Sequence, residues 1–360
     1  MKQPTFEDVI SFESLMDSAY ECMKGVQWKS SVQMFKINLQ QWVANLHKEL
    51  EEGTYKSKGF YEFTINERGK TREIKSVHIS ERCVQKSLCR NALIPLIVPR
   101  LIYDNSASIP SRGLSHAIHR LRVHLYGHFQ LCGRRRIGGI LIGDFSNYFG
   151  SINHQILIEK LDRIIEDKRI LNLAAYFINC FEGDVGLGLG SEISQICAMY
   201  YLNEMDHFIK EHLHVKAYAR YNDDFYLIHP DIEYLKYCLS VIYDFAAGLG
   251  LTLNQKRTRL VPLSQPFTYL KKNVRISETG KITIRVSRKT ITRNIRVMKK
   301  QKKLLKQNKI HFEEIYNSYH SRLGFVKQYD NPTAVECLQD CYNKLFVNDF
   351  ISGKELDELI

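Results

Sequence analysis

The sequence predicts an α+β fold, on three observations. Phe35, Leu39, Trp42, Leu46 and Leu50 recur at steps of four, three, four and four, which is one face of a helix. Two short β-rich stretches, Ile140–Ile142 and the flanks of Tyr218–His229, bracket acidic residues. After Arg285 the chain becomes a basic amphipathic helix, with Ile291, Ile295, Met298 and Leu305 as its apolar stripe. At 360 residues the chain is long enough for two or three subdomains around one extended core.

Residues 1–50 read as helical packing at the edge of the fold, with Gly53 as a stop. Residues 54–78 read as a basic β-hairpin. Phe60, Phe63 and Ile65 form one strand, Glu67-Arg68-Gly69-Lys70 the turn, and Arg72-Glu73-Ile74 the return. Alternation places Lys70 and Arg72 on one face. A helix follows, with Ser80 as its expected N-cap and Cys83, Val84, Leu88 and Leu93 turned inward. Beyond it, His116, His119, His124 and His128 accompany Arg120 and Arg122, a pattern that favours a phosphate-facing surface over a metal site.

Ile140, Leu141 and Ile142 form a short apolar strand that ends at Asp144. Asp223 and Asp224 occupy the tip of a hairpin in YARYNDDFYLIH. Adjacent carboxylates in a tight turn are either solvated or joined by a hard cation, for which Mg²⁺ is the usual choice. Three carboxylates from these two places can surround two metal ions, which stabilise the attacking and leaving oxygens of an in-line phosphoryl transfer. Gly186, Gly188 and Gly190 permit close backbone approach to a ligand, and Ser191 or Glu192 opens the next helix. Asp231–Gly248 reads as a helix with Leu235, Leu239, Ile242 and Phe245 on one side.

Eleven positive charges and no acidic residue lie between Arg285 and Lys309, close to the whole net charge of +12. Such a one-sided run repels itself without a polyanion, so nucleic acid is the expected partner and a membrane surface is not. Nine cysteines without a CxxC pair suggest a reduced, cytoplasmic protein with no disulfide framework or zinc site. No stretch approaches the roughly 20 apolar residues of a membrane span.

The Asp144 strand motif followed by the Tyr-x-Asp-Asp box resembles the palm of reverse transcriptases. The resemblance covers roughly residues 50–350 and implies a right-hand polymerase, with fingers, an antiparallel palm sheet and a helical thumb. Its expected parts are an N-terminal helical extension over 1–50, fingers over 51–135 and a palm over 136–262 with interleaved finger elements. A primer-grip hairpin over 263–285, the thumb over 286–350 and a tail over 351–360 complete it.

The resemblance implies residue roles. Asp144, Asp223 and Asp224 would bind two Mg²⁺, with Mn²⁺ as substitute and a main-chain carbonyl of Phe145 beside them. Lys70 and Arg72 would fold over the incoming triphosphate, and Phe149 would stack beneath the sugar and exclude a 2′-hydroxyl. Leu189, Gly190 and Gln195 would touch the nascent base pair. In LGLTLNQKRTRL, Lys256 is preferred over Arg257 as the proton donor to pyrophosphate, Arg being a poor acid at neutral pH. Arg112, Tyr221, Leu270 and Lys271 would meet nucleic acid, as would Arg288, Lys289, Arg293, Arg296, Lys299, Lys300 and Lys303 on the basic helix.

Many bacterial relatives carry Gln before this glycine and Pro after the Ser. Here Leu189 and Gln195 stand at those positions, a form resembling reverse transcriptases of diversity-generating retroelements and some defence-associated relatives. Both settings imply an RNA template, a DNA primer or product and a dedicated noncoding RNA; the first also implies a small accessory protein. Two other readings remain open at this point: a template-independent or protein-primed polymerase of abortive-infection type, and a noncatalytic RNA-binding or splicing factor.

Overall fold

A computed structural model describes residues 3–67 and 70–347, and helices and antiparallel strands are mixed as expected. The chain divides into two compact units, residues up to 124 with 140–260, and 125–139 with residues from 261 on. The expected tail over 351–360 and the side chains of Lys70 and Arg72 lie outside the described residues.

The first unit opens with four helices, α1 (Phe6–Ile10), α2 (Phe12–Met23), α3 (Ser30–Ile37) and α4 (Leu39–Glu51). The expected apolar face is shared between α3 and α4, which meet at Asn38, and Phe35, Leu39, Leu46 and Leu50 are buried. These helices belong to the same continuous core as the sheet, beyond an edge packing role. The hairpin follows as β1 (Phe60–Glu67) and β2 (Lys70–Val77), antiparallel, with Ile65 opposite Arg72. Helix α5 (Ile79–Leu88) is capped by His78, whose Nδ1 accepts from the Ser80 backbone N–H. The expected cap, Ser80, is instead the second residue of the helix, buried. A π turn and α6 (Ile94–Ile97) continue the run, and α7 (Leu114–Leu131) follows.

A central sheet carries β3 (Gly139–Gly143), β4 (Tyr218–Tyr221), β5 (Asp224–His229) and β6 (Arg259–Pro262) in the order β4-β5-β3-β6. Helices α8 (His154–Asp162), α9 (Lys168–Asn179), α10 (Glu192–Tyr201) and α11 (Asn203–His207) lie between β3 and β4 in sequence, and α12 (Ile232–Gly248) between β5 and β6. Strand β3 is buried along its whole length, which is why it reads as a continuous apolar run. Ser191 occupies the N-cap of α10, and Asp231 caps α12 through hydrogen bonds from Glu233 and Tyr234.

The second unit contains an antiparallel sheet, β7 (Phe267–Tyr269), β8 (Lys272–Ile276) and β9 (Ile282–Val286), with helices α13 (Arg288–Lys306), α14 (Phe312–Lys327) and α15 (Pro332–Tyr342). Leu270 and Lys271 both have positive φ and close the β7–β8 hairpin in two residues. That is the turn whose twist matches the flanking strands. Among the described residues no helix is long and apolar enough to cross a membrane.

Candidate active site

Asp144 follows β3 directly, and residues 252–254 pin it there. The Asn254 N–H donates to the Asp144 carbonyl at 2.7 Å, the Ser146 N–H donates to Thr252 at 2.8 Å, and Phe145 bridges Leu253. Gly143 sets the neighbouring strand. A Cβ built there would stand 2.1 Å from Phe225 Cζ, so only glycine lets that ring lie against β3. Side chains alternate along a strand, so Asp144 points away from this contact.

The facing hairpin turns in two residues, with Tyr221 opposite Asp224. Asn222 takes the left-handed conformation, φ +53°, which asparagine tolerates. Asp223 is thereby at the tip and Asp224 begins β5. Buried beneath, Arg220 donates through Nε to Asp206 Oδ1 at 2.8 Å and through Nη2 to Oδ2 at 2.6 Å. Its Nη1 donates to the Asn222 carbonyl at 3.1 Å, so the same guanidinium holds the turn. The Tyr218 hydroxyl donates to Asp206 Oδ1 at 2.5 Å. Sequence reading missed this pair. The available signal was a charged residue inside an otherwise apolar strand, which is rarely buried without a partner.

Asp144, Asp223 and Asp224 come together: each offers an oxygen within 4.8 Å of the others. Burial first, and then the Asp144 charge, raise the Asp223 carboxyl above the ordinary aspartate range. Asp144 Oδ2 accepts from Asn254 Nδ2 at 3.2 Å and from Arg257 Nη1 at 3.0 Å. Oδ1 is buried with no hydrogen-bond partner. An orphaned buried carboxylate oxygen beside two further carboxylates is the donor set a hard divalent cation takes, so these residues fit a metal.

The remaining expected residues fall as follows. The Phe145 ring is buried between Tyr148 and Phe225. Phe149 is half-buried on the core, edge-on to Tyr148, and its carbonyl accepts from the Leu187 N–H at 2.7 Å. Lys256 is exposed, its backbone N–H on Asn254 Oδ1, and Arg257, the residue not preferred, is the one that reaches Asp144. The Leu189 carbonyl accepts from the Lys75 N–H of β2 at 3.2 Å, and Gly190, φ +114°, leaves 3.2 Å between a built Cβ and Ile74. A Cβ on Gly188 would strike Phe181 at 2.3 Å. The close approach these glycines give is thus to the chain itself. Gln195 is exposed and accepts from Ser108 at 3.3 Å.

Arg112 donates to the carbonyls of Tyr103 and Asn105 and lies over the Tyr103 ring, a bracing position. The arginine–histidine cluster of α7 is corrected. Arg120 Nε donates to Asp104 Oδ1 at 2.5 Å, His124 meets the Tyr226 hydroxyl at 2.8 Å, and His116 meets Ser106. Arg120, His124 and His116 serve buried polar partners instead of forming a phosphate-facing surface, because Asp104, in the loop before α7, lies against Arg120 and His124. In the second unit, Leu270 and Lys271 form the hairpin turn. On α13, Arg288, Lys289, Arg293, Arg296, Lys299, Lys300 and Lys303 are exposed, while Met298 is buried and Ile291 and Ile295 half-buried.

Residues 55–274 match the family model described as reverse transcriptase (RNA-dependent DNA polymerase). Protein YkfC of Escherichia coli (strain K12) is 26% identical over 246 residues, 56% of this chain; the chain spans 62% of that relative's length. Two solved structures share the fold. The telomerase of Candida albicans, solved with a fragment of telomeric RNA, has a TM-score of 0.51 at 12% identity, covering 88% of this chain and 68% of that one. The apo telomerase of Candida tropicalis has a TM-score of 0.50 at 13% identity, covering 69% and 52%. With a carboxylate triad on an antiparallel sheet and a family match over more than half its residues, the chain belongs to the reverse transcriptase (RNA-dependent DNA polymerase) family.

Proposed function

We propose that this chain is an RNA-directed DNA polymerase that joins deoxynucleotides to a primer 3′-hydroxyl on an RNA template. The observation that carries the reading is the gathering of Asp144, Asp223 and Asp224 within 4.8 Å, with Asp144 Oδ1 buried and unpartnered. These carboxylates would hold two Mg²⁺, with Mn²⁺ as substitute. Bound there, the ions supply charge stabilisation to the attacking and leaving oxygens of an in-line transfer.

The chain's own residues do the rest. Arg220 and Asp206 fix the tip that carries Asp223, so the donor set is preorganised before substrate arrives. Phe149 presents its ring where a 2′-hydroxyl would have to fit, which favours deoxynucleotides. Lys70 and Arg72, two residues apart in the sequence of β2, would take the triphosphate, Arg72 through paired N–H donors. Arg257, and beside it Lys256, faces the departing pyrophosphate. The hairpin turn at Leu270–Lys271 and the basic face of α13 hold the primer–template backbone without reading sequence. In this reading, 51–135 are fingers, 136–262 palm, 263–285 primer grip and 286–350 thumb.

The template is a dedicated noncoding RNA, in the cytoplasm, within a diversity-generating retroelement or an antiphage defence system. Leu189 and Gln195 support the former, which adds a small accessory protein. Sequencing of the RNA and DNA that copurify with the protein tests this, beside Asp223→Ala/Asp224→Ala. DNA complementary to one bound RNA and absent from the variant is the expected result. DNA without a matching template would replace this reading with template-independent synthesis.

A further inference from the structure

The second unit holds a cavity of about 780 Å³ lined by residues of β8, β9 and the start of α13 together with Asn331, Thr333, Ala334 and Cys337. Three arginines line it, Arg275, Arg285 and Arg288, and no carboxylate does. All three are exposed. The strand register explains how two of them meet. Asn273 pairs with Arg285 and Arg275 with Thr283, so Arg275 and Arg285 are diagonal neighbours on one face of the sheet. Diagonal positions stand roughly 7–8 Å apart, a span that two guanidiniums can bridge with one polyanion. Arg285 Nε is anchored on the Asp330 carbonyl at 3.0 Å, which leaves its two terminal nitrogens for a ligand.

Asn331 supplies an independent sign of a ligand. It is 7% exposed, its Oδ1 accepts from the Val286 N–H at 3.2 Å, and its Nδ2 is a buried donor with no acceptor. An unmade donor of this kind is costly unless something occupies the space before it. The apolar part of the lining that is open to a ligand is Ile291 and Ala334, both half-buried. Guanidiniums and apolar side chains in one cavity match a nucleotide, phosphate to the first and base to the second. A duplex keeps its bases stacked inside and cannot use the apolar side chains.

We propose that this cavity binds single-stranded RNA, at a site that meets the basic face of α13 at Arg288. The phosphates lie on Arg275, Arg285 and Arg288, one base lies on Ile291 and Ala334, and Asn331 Nδ2 donates to the nucleotide. The inference rests on the reading that the chain handles nucleic acid, and names a second place for it to do so.

Cys337 is an exposed thiol on the cavity wall and gives the test. Its alkylation by a maleimide is followed by peptide mass spectrometry on the full chain, with and without a short single-stranded RNA of mixed sequence. The RNA is expected to slow Cys337 at least fivefold while leaving the exposed, distant regions of the chain unchanged. Heparin and a duplex of the same sequence are the comparison arms and are expected to protect less. Unchanged Cys337 reactivity, or equal protection by heparin, overturns the proposal. In Arg275→Ala the protection is lost, and the slope of log binding constant against log salt falls by about 0.7 for one single-strand phosphate contact. An unchanged slope also overturns it. Failure of the polymerase reading removes extension from the wild-type chain while leaving Cys337 protection intact, so the two failures are told apart.

Discussion

Arg220 and Asp206 are both fully buried and are joined by two hydrogen bonds, and the same guanidinium holds the carbonyl of Asn222 in the turn that presents Asp223. A buried ion pair is weak evidence for stability by itself, since both charges lose their water. Here its other task is geometric: the only left-handed residue of the hairpin tip is tied to a group that cannot move without stranding a charge.

Breaking this pair is therefore expected to be severe. Asp206→Ala leaves an uncompensated guanidinium in the core, with an expected loss of about 3–5 kcal/mol in urea unfolding. Asp206→Asn keeps the shape and removes the charge. Where that variant still folds, its divalent-ion binding at the triad, read by calorimetry, weakens although no metal ligand has changed. Ion affinity equal to wild type in a folded Asp206→Asn protein would contradict the positioning role.

Gly143 makes a second structural test. Gly143→Ala places a methyl 2.1 Å from the Phe225 ring, within strand contact that the core fills on every side. The expected cost is at least about 1–3 kcal/mol, from overpacking. Gly143→Ala with Phe225→Leu should recover part of it, which thermal unfolding of the four proteins measures as a double-mutant cycle.

Arg257 is the cation already on Asp144, at 3.0 Å and about half exposed. A divalent ion arriving at the same oxygen meets that charge. Arg257→Gln is expected to tighten Mn²⁺ binding about tenfold, a modest figure because solvent screens the guanidinium. Lys256→Gln, whose side chain is exposed, should leave it near wild type. Paramagnetic titration of Mn²⁺ distinguishes the two, and equal effects would disprove the assignment.

Asp104 gives a pH dependence. Burial alone would raise its carboxyl; hydrogen bonds from His124 and Lys210 outweigh this and hold it far below the ordinary value of 3.8. Across the window below that value the unfolded chain binds the proton and the native chain does not. The contribution is thus complete above the unfolded pKa and is lost as pH falls toward the folded one. Urea midpoints measured from neutral to acid pH should fall less steeply for Asp104→Asn than for the wild type.

The carboxylate triad was legible because each half is local: an apolar strand ending in Asp, and an Asp pair between β-rich flanks. Hairpin β1–β2, the caps of α10 and α12 and the basic face of α13 follow from similarly short patterns. What the sequence concealed depends on which charged groups the fold brings into contact. Asp104 converts the Arg120–His124 cluster from a surface into a buried network, and Asp206 does the same for Arg220. Which of Lys256 and Arg257 reaches Asp144 also required geometry: it is Arg257. His78 took the cap expected of Ser80, its imidazole Nδ1 accepting the backbone N–H of Ser80 itself.

The central claim is that three aspartates brought together by β3 and the β4–β5 tip catalyse DNA synthesis on RNA. The most direct measurement is extension of a DNA primer on an RNA template with deoxynucleotides and Mg²⁺, comparing the wild type with Asp223→Asn, which keeps the side chain's shape. Template-complementary DNA from the wild type, with a loss of at least about a thousandfold in rate for the variant, is the predicted result. Equal extension by Asp223→Asn, or product that ignores the template, would contradict the account.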